Sequence, residues 1–429
     1  MVTGRPMVIG LVILCALSSF AVAETIHVTP ETFTAALEKA NPGDTILMAD
    51  GSYKGGVEMS RSGTEAAPIT IKAESTGAIV DGGRKDGFVV GGDWVVVEGI
   101  RFQNAGRGGI GFLSSPEKPS EHDTVRNCVF ADNGVWGLIT SHTNHLLIEN
   151  CEAFGSKEQH GIYFSNSGDD PVIRNNHVHD NNMCGIHMNG DPECGGDGII
   201  SRLLAEGNVI WRNGREGGSA LNITHVQDSL YRNNLAYANL AMGIVTYYDT
   251  GGEKCASKRN QFYNNTIVFN PGEGRWCLSL QKSSTDAIVK NNLFVGGKYG
   301  VIWVRPDSLA GLTINNNVYA TYPEQVLIGN ASEPSAAELA GYREQGIGID
   351  DKGVVSIESW RKKGYDTDSK IGEMPKFVDA AKGDYHLAAN SVGVGNGADL
   401  GKLVTTDIEG APRPAEKGWD CGCYQTTKK

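Results

Sequence analysis

The feature that most limits what this chain can fold into is a short motif: a polar residue, Asn, then Asn or Cys ahead of alternating apolar positions. It recurs as RNCVF, ENCEA, RNNHV, EGNVI, RNNLA, YNNTI, KNNLF and NNNVY. Its third position falls at Cys128, Cys151, Asn176, Asn208, Asn234, Asn265, Asn292 and Asn317, at spacings of 23 to 32 residues. A period that short, carried on a two-residue alternation, describes one coil of a solenoid of strands with connections of variable length. Successive coils stack about 4.8 Å apart, so an Asn amide reaches the amide of the coil above and below. The asparagines are therefore expected to form an interior ladder, and Cys128 and Cys151, in the same column, to be free buried thiols. His177 and His179, on the strand after Asn176, read as scaffold.

A second set of segments repeats in step with the first. GLITSHT from Gly137, GIYFSNS from Gly161, GIHMNGD from Gly185, ALNITHV from Ala220, GIVTYYD from Gly243, CLSLQKS from Cys277 and GVIWVRP from Gly300 align without gaps. Their second and fourth positions are mostly apolar and are placed inward, the third and fifth outward. The fold expected is all-β, a right-handed parallel β-helix with a capping helix at its N-terminal end.

That cap is read from TIHVTPETFTAALEKANPGDTILMADGSY: a strand, an amphipathic helix opened by Thr29 and Pro30, then a strand. A helix there covers the open edge of the solenoid. Residues 24–90 are assigned to the cap and first coils, 91–320 to regular coils and 321–429 to irregular coils and a closing segment, all in one domain. A short helix is expected from an N-capping Ser332 to about Tyr342.

Ahead of this, Arg5, the apolar run VIGLVILCALSSF and AVA before Glu24 have the order of a signal peptide over residues 1–23. The expectation is a secreted or periplasmic monomer with no membrane contact. Export permits disulfides, and Cys184 and Cys194, which bracket a short Gly/Pro-containing loop, are the expected pair. A net charge of −12 argues against nucleic acid as a partner. It leaves room for a local basic cleft that holds an acidic polysaccharide.

The outward columns carry the chemistry. The third positions are Ile139, Tyr163, His187, Asn222, Val245, Ser279 and Ile302, and the fifth are Ser141, Ser165, Asn189, Thr224, Tyr247, Gln281 and Val304. The sixth are His142, Asn166, Gly190, His225, Tyr248, Lys282 and Arg305, a set that strict alternation would bury. Unpaired cations do not stack in an interior, so the strands must end there and turn these side chains out. His160, Tyr163, His187, Asn189, Asn222, His225 and Asp249 are the candidate substrate-binding residues of a groove roughly 24 Å long, sized for several sugar units. Lys282 and Arg305 lie 23 residues apart, placed at equivalent points of adjacent coils. Two such cations repel unless an anion joins them, and repulsion with partial burial favours a lysine that can act as a base. A uronate supplies the anion: its C5 proton is removed only if the adjacent carboxylate is neutralised.

ANPGDTILMADGSYKG followed by SGTEAAPITIKAE, and LQKSSTDAIVKNNLF followed one coil later by WVRP, resemble the secreted β-helical polysaccharide lyases, the group that includes chondroitinase B and several alginate lyases. The resemblance implies β-elimination on a uronate-containing polysaccharide, with Lys282 as base and Arg305 as its charge-neutralising or proton-donating partner. A tyrosine–lysine pairing, as in other alginate lyases, would bring in Tyr247 or Tyr248. Calcium-binding members place acidic residues a few positions before the lysine. This chain has RWCLSL there, with Glu273 further upstream, so neither metal nor other cofactor is expected.

Three other readings stay open. A glycoside hydrolase would use Asp191 and Asp249, which end strands of the same face. A C5-epimerase would share the proton abstraction, with His187 or His225 as acid or base. A binding solenoid would use Tyr163, Tyr247, Tyr248 and Trp276 as platforms for sugar rings. A zinc site from His187, His225 and Asp191 matches no ligand spacing.

Overall fold

The computed structural model describes residues 23–426 other than 324, 326, 333 and 417. The signal-peptide assignment lies, but for residue 23, outside the described residues. Each coil runs through three strands, as in Leu147–Glu149, Glu152–Phe154 and Ile162–Ser165. Stacked in parallel, these strands make three sheets: I (from Thr25–Val28 to Thr313–Asn315), II (from Gly51–Lys54 to Lys370–Ile371) and III (from Val57–Met59 to Ile302–Val304). The expected right-handed parallel β-helix is the fold found.

The repeated motif does two jobs at the corner from sheet I to sheet II. Its second residue adopts the left-handed conformation that Asn tolerates better than most residues, at Asn127, Asn150, Asn175, Asn233, Asn264, Asn291 and Asn316 (φ +52° to +59°), with Gly99 and Gly207 in the same role. Its third residue then points inward and stacks. Nδ2 of Asn176, Asn208, Asn234, Asn265 and Asn292 each donates to Oδ1 of the next Asn at 2.9–3.0 Å, ending at Asn317. Each of those Oδ1 atoms also accepts the backbone N–H of the Asn below, at 2.9–3.1 Å. Cys128 and Cys151 extend the column as buried free thiols. A second ladder, Asn181, Asn213 and Asn239, stands at the corner from sheet II to sheet III.

The N-terminal helix spans Phe33–Lys39, beginning a turn later than Thr29 and Pro30, and buries Phe33, Ala36 and Leu37. Phe33 meets Tyr53 edge-on at 5.2 Å, sealing the first coil. The helix expected from Ser332 starts instead at Ala336, because Ser335 and Glu338 form the capping sequence: Ser335 Oγ accepts from the Glu338 N–H at 3.2 Å. Residues 377–425 pack Tyr385, Leu387, Val392, Cys421 and Cys423 onto the outer face of sheet II around Leu235, Leu293 and Val318.

Cys184 and Cys194 are not bonded to each other. Cys184 is buried at a strand start and Cys194 lies exposed in the loop. His179 stacks between Phe154 (5.1 Å) and Trp211 (4.1 Å) on the outside of sheet II, a scaffold role.

Candidate active site on sheet III

The outer face of sheet III gathers most of the candidate residues, in nearly the predicted register. Ile162 pairs with Ile186, Ile186 with Leu221, Leu221 with Ile244 and Ile244 with Leu278. At the next coil the register slips: Leu278 pairs with Ile302, not Val301. Alternation decides this, because Ile302 and Val304 then point inward with Leu278 and Leu280, and Trp303 keeps its indole outside, where Nε1 donates to Glu338. The outward residues of that coil are therefore Trp303 and Arg305 rather than Ile302 and Val304. Arg305 stands opposite Gln281, one position off Lys282. It stacks over Trp303 at 5.9 Å with Nε 3.6 Å from Asp307.

The strands end as expected. His142, Asn166, His225 and Lys282 adopt φ of +49° to +61° and break the alternation. Lys282 is exposed, its Nζ 5.8 Å from the Tyr247 ring centre and 5.9 Å from that of Tyr248. With Asn222, Tyr247, Gln281 and Arg275 it lines a pocket of about 360 Å³. Arg275 was not among the residues singled out from the sequence. It lies three positions before the strand Leu278–Leu280, in the column of Met183 and Ala241, and the Ala241 carbonyl accepts its N–H. Burial pushes the Tyr247 phenol up, with Thr224 and Asn222 opposing, so it is held protonated.

Two of the histidines face each other. The Cys184 N–H can only donate, so His160 Nδ1, 3.2 Å away, accepts. A neutral His160 then carries its proton on Nε2, which lies 3.0 Å from His187 Nδ1. His187 accepts there and bears its own proton on Nε2, a buried atom with no hydrogen-bond partner. Burial, and secondarily His187, hold His160 well below the ordinary imidazole range, and burial holds His187 down to about 4 against the pull of Asp249. His160 is thus not a groove-lining residue but sits behind His187, which stacks on Tyr163 at 4.9 Å.

His225 is also buried rather than lining the groove. Its Nδ1 lies 2.9 Å from Asn189 Oδ1, and its Nε2 lies 3.2 Å from both the Thr250 carbonyl and Asp249 Oδ1, so it anchors the loop that carries Asp249. Burial lowers its pKa, with Asp249 opposing. Tyr163 donates to Asp191 Oδ2 at 3.3 Å. Burial raises the Asp191 pKa. The loops carrying these aspartates form a wall: Gly195 packs on Pro116 and Gly251 on Pro192 so closely that a β-carbon would lie 2.9 and 2.8 Å from the proline Cγ.

As metal ligands these residues fit poorly. His187, His225 and Asp191 do not converge. His160, Cys184 and His187 bring ligand atoms within 4.8 Å of one another. A histidine bound to metal through Nε2 donates its other N–H, whereas His160 Nδ1 must accept from Cys184. Of the two aspartates on this face, Asp249 Oδ1 lies 3.2 Å from His225 Nε2 and Asp191 accepts from Tyr163.

Residues 28–319 match the family model described as chondroitinase B. A pectate lyase L of Dickeya chrysanthemi is 32% identical over 144 residues, which cover 29% of this chain and 32% of that one, so the chain spans about a third of this curated relative. Among solved structures, pectate lyase Pel9A superposes with a TM-score of 0.56 at 16% identity over 95% of this chain and 98% of its own. The GH136 lacto-N-biosidase of Eubacterium ramulus gives 0.52 at 12% identity over 71% of this chain and 65% of its own. Likeness at such identities shows the β-helix alone.

Proposed function

The chain belongs to the chondroitinase B family, and from that premise we propose that it is a polysaccharide lyase that cleaves a uronate-containing chain by β-elimination in the sheet III groove. The observation that carries this reading is Lys282, with its Nζ near the rings of Tyr247 and Tyr248, sharing a pocket with Tyr247 and Arg275, two basic side chains together on a chain of net charge −12. Arg275 pairs with the uronate carboxylate and lowers the cost of the carbanion-like state at C5. Lys282, once deprotonated, takes the C5 proton. The C5–H electron pair forms the C4–C5 double bond, the C4–O bond breaks, and the Tyr247 phenol gives its proton to the leaving oxygen. Tyr248 holds Lys282 from the second ring face, and Arg305 serves the sugar bound one coil further along. Tyr163, His187, Asn189, Asn222 and Asp249 shape the groove on the other side, with His160 and His225 behind them.

The enzyme is further proposed to act outside the cytoplasm as a monomer without a cofactor. The apolar N-terminal run supports export, and no helix among the described residues is long and apolar enough to cross a membrane. Acidic polysaccharides form the panel that tests the activity: alginate, pectate and glycosaminoglycans incubated with the mature protein. A rise in ultraviolet absorbance from an unsaturated uronate is the expected result. New reducing ends without that absorbance would instead favour a second reading, a hydrolase with Asp191 as acid, since burial raises this carboxyl beside Asp249.

A further inference from the structure

The left-handed Asn column offers a second site, on the corner between sheets I and II and away from the groove. In three later coils its amides, those of Asn233, Asn264 and Asn291, are occupied. Asn233 Nδ2 donates to the Thr406 carbonyl at 2.8 Å and its Oδ1 accepts from Arg413. Asn264 donates to the Asp420 and Gly422 carbonyls, and Asn291 both donates to and accepts from the Ala398 peptide at 2.8 Å. These three are buried. Asn127, Asn150 and Asn175 continue the same row over three earlier coils, are exposed, and make no side-chain hydrogen bond to a described residue. They line an open cavity of about 630 Å³ together with Glu152 and His177 and with Glu409 and Tyr424 of the C-terminal segment.

We propose that this row is a non-catalytic binding site for a neutral glycan chain lying along the solenoid axis. An amide offers a donor and an acceptor together, which suits hydroxyl groups as well as the peptide groups it holds in later coils. Spacing separates the two kinds of ligand. The row repeats once per coil, about every 4.8 Å, whereas an extended polypeptide turns main-chain groups to one side every two residues, about 6.7 Å, and falls out of step. A chain of pyranose rings advances by a step comparable to one coil. The carboxylates of Glu152 and Glu409 on the cavity wall disfavour a uronate there, so the two grooves select polymers of different charge.

This inference takes from the proposed function only that the ligand is a glycan, and it fails or stands separately from the ultraviolet assay. The test is native electrophoresis through gels containing galactomannan, mixed-linkage β-glucan, pectate or gelatin, comparing the parent with the triple variant Asn127→Gly, Asn150→Gly, Asn175→Gly. Glycine already fills this column at Gly99 and Gly207, so the coils accept it. The parent should be retarded by a neutral glycan, and losing three amides should weaken that binding about tenfold or more, with turnover of soluble uronate oligomers unchanged. Equal retardation of parent and variant, no retardation by any neutral glycan, or retardation by gelatin alone would overturn the proposal.

Discussion

His160 Nε2 lies 3.0 Å from His187 Nδ1, and the backbone N–H of Cys184 fixes which of the two carries the shared proton. Both rings are held neutral, His160 buried and His187 partly so, with His187 lowered to about 4. The unfolded chain therefore binds protons that the folded one refuses, and stability falls as pH drops from about 6.5 toward 4. For His187 alone the loss is of order 3 kcal/mol. Thermal unfolding at pH 7 and pH 4.5 should show the difference, and the double variant His160→Gln, His187→Gln should show a shallower dependence than the parent.

Lys282→Ala should lower turnover on the uronate substrate by roughly 10² to 10⁴ and leave the melting temperature nearly unchanged. The side chain is exposed, and both residues meet the same left-handed backbone. Retained turnover would remove Lys282 from the chemistry whatever the polymer.

Arg275 and Arg305 separate in the same assay. Arg275 shares the Lys282 pocket, whereas Arg305 faces Gln281 and has Asp307 at 3.6 Å. Arg275→Ala should reduce kcat/KM by about tenfold or more, and Arg305→Ala should act mainly on KM and more strongly on longer oligomers. The reverse order would return Arg305 to the centre of the site.

Asn208→Ala strikes the ladder. It leaves the Asn176 N–H without its acceptor, takes one of two acceptors from the Asn176 side-chain amide, whose bond to the Ile148 carbonyl remains, and deprives the Ile173 carbonyl and Asn234 Oδ1 of a donor. A cost of about 3 kcal/mol or more follows, measurable as a lower denaturant midpoint. A mild effect would mean that the stack is held by its apolar core alone.

The coils were legible in the sequence because the ladder and the alternation are both local and repeat. The slip at Ile302 was not, since GVIWVRP alternates acceptably in either register and the outcome rests on where the bulk of Trp303 fits. Groove exposure was misjudged at His160 and His225 for a related reason: His160 precedes its repeat segment and His225 stands where the strand ends, positions whose direction the alternation does not fix, and His187 and the loop at Thr250 cover them. Arg275 escaped because the repeat was read from Cys277, two residues after it. The same offset that holds Met183 and Ala241 would have pointed to it. The paired thiols failed because Cys184 belongs to the rung and Cys194 to the loop, two environments that sequence proximity does not distinguish.

The wall in which Pro116 touches Gly195 and Pro192 touches Gly251 is built wholly from connections. No bond of the two asparagine ladders passes through it. Insertions or deletions there would alter the depth of the cleft while leaving the stacking of the rungs intact, so the fold separates heritable change in what the enzyme grips from change in whether it folds. Descendants of such a chain could exchange one polymer for another loop by loop, and the rungs would record their common origin.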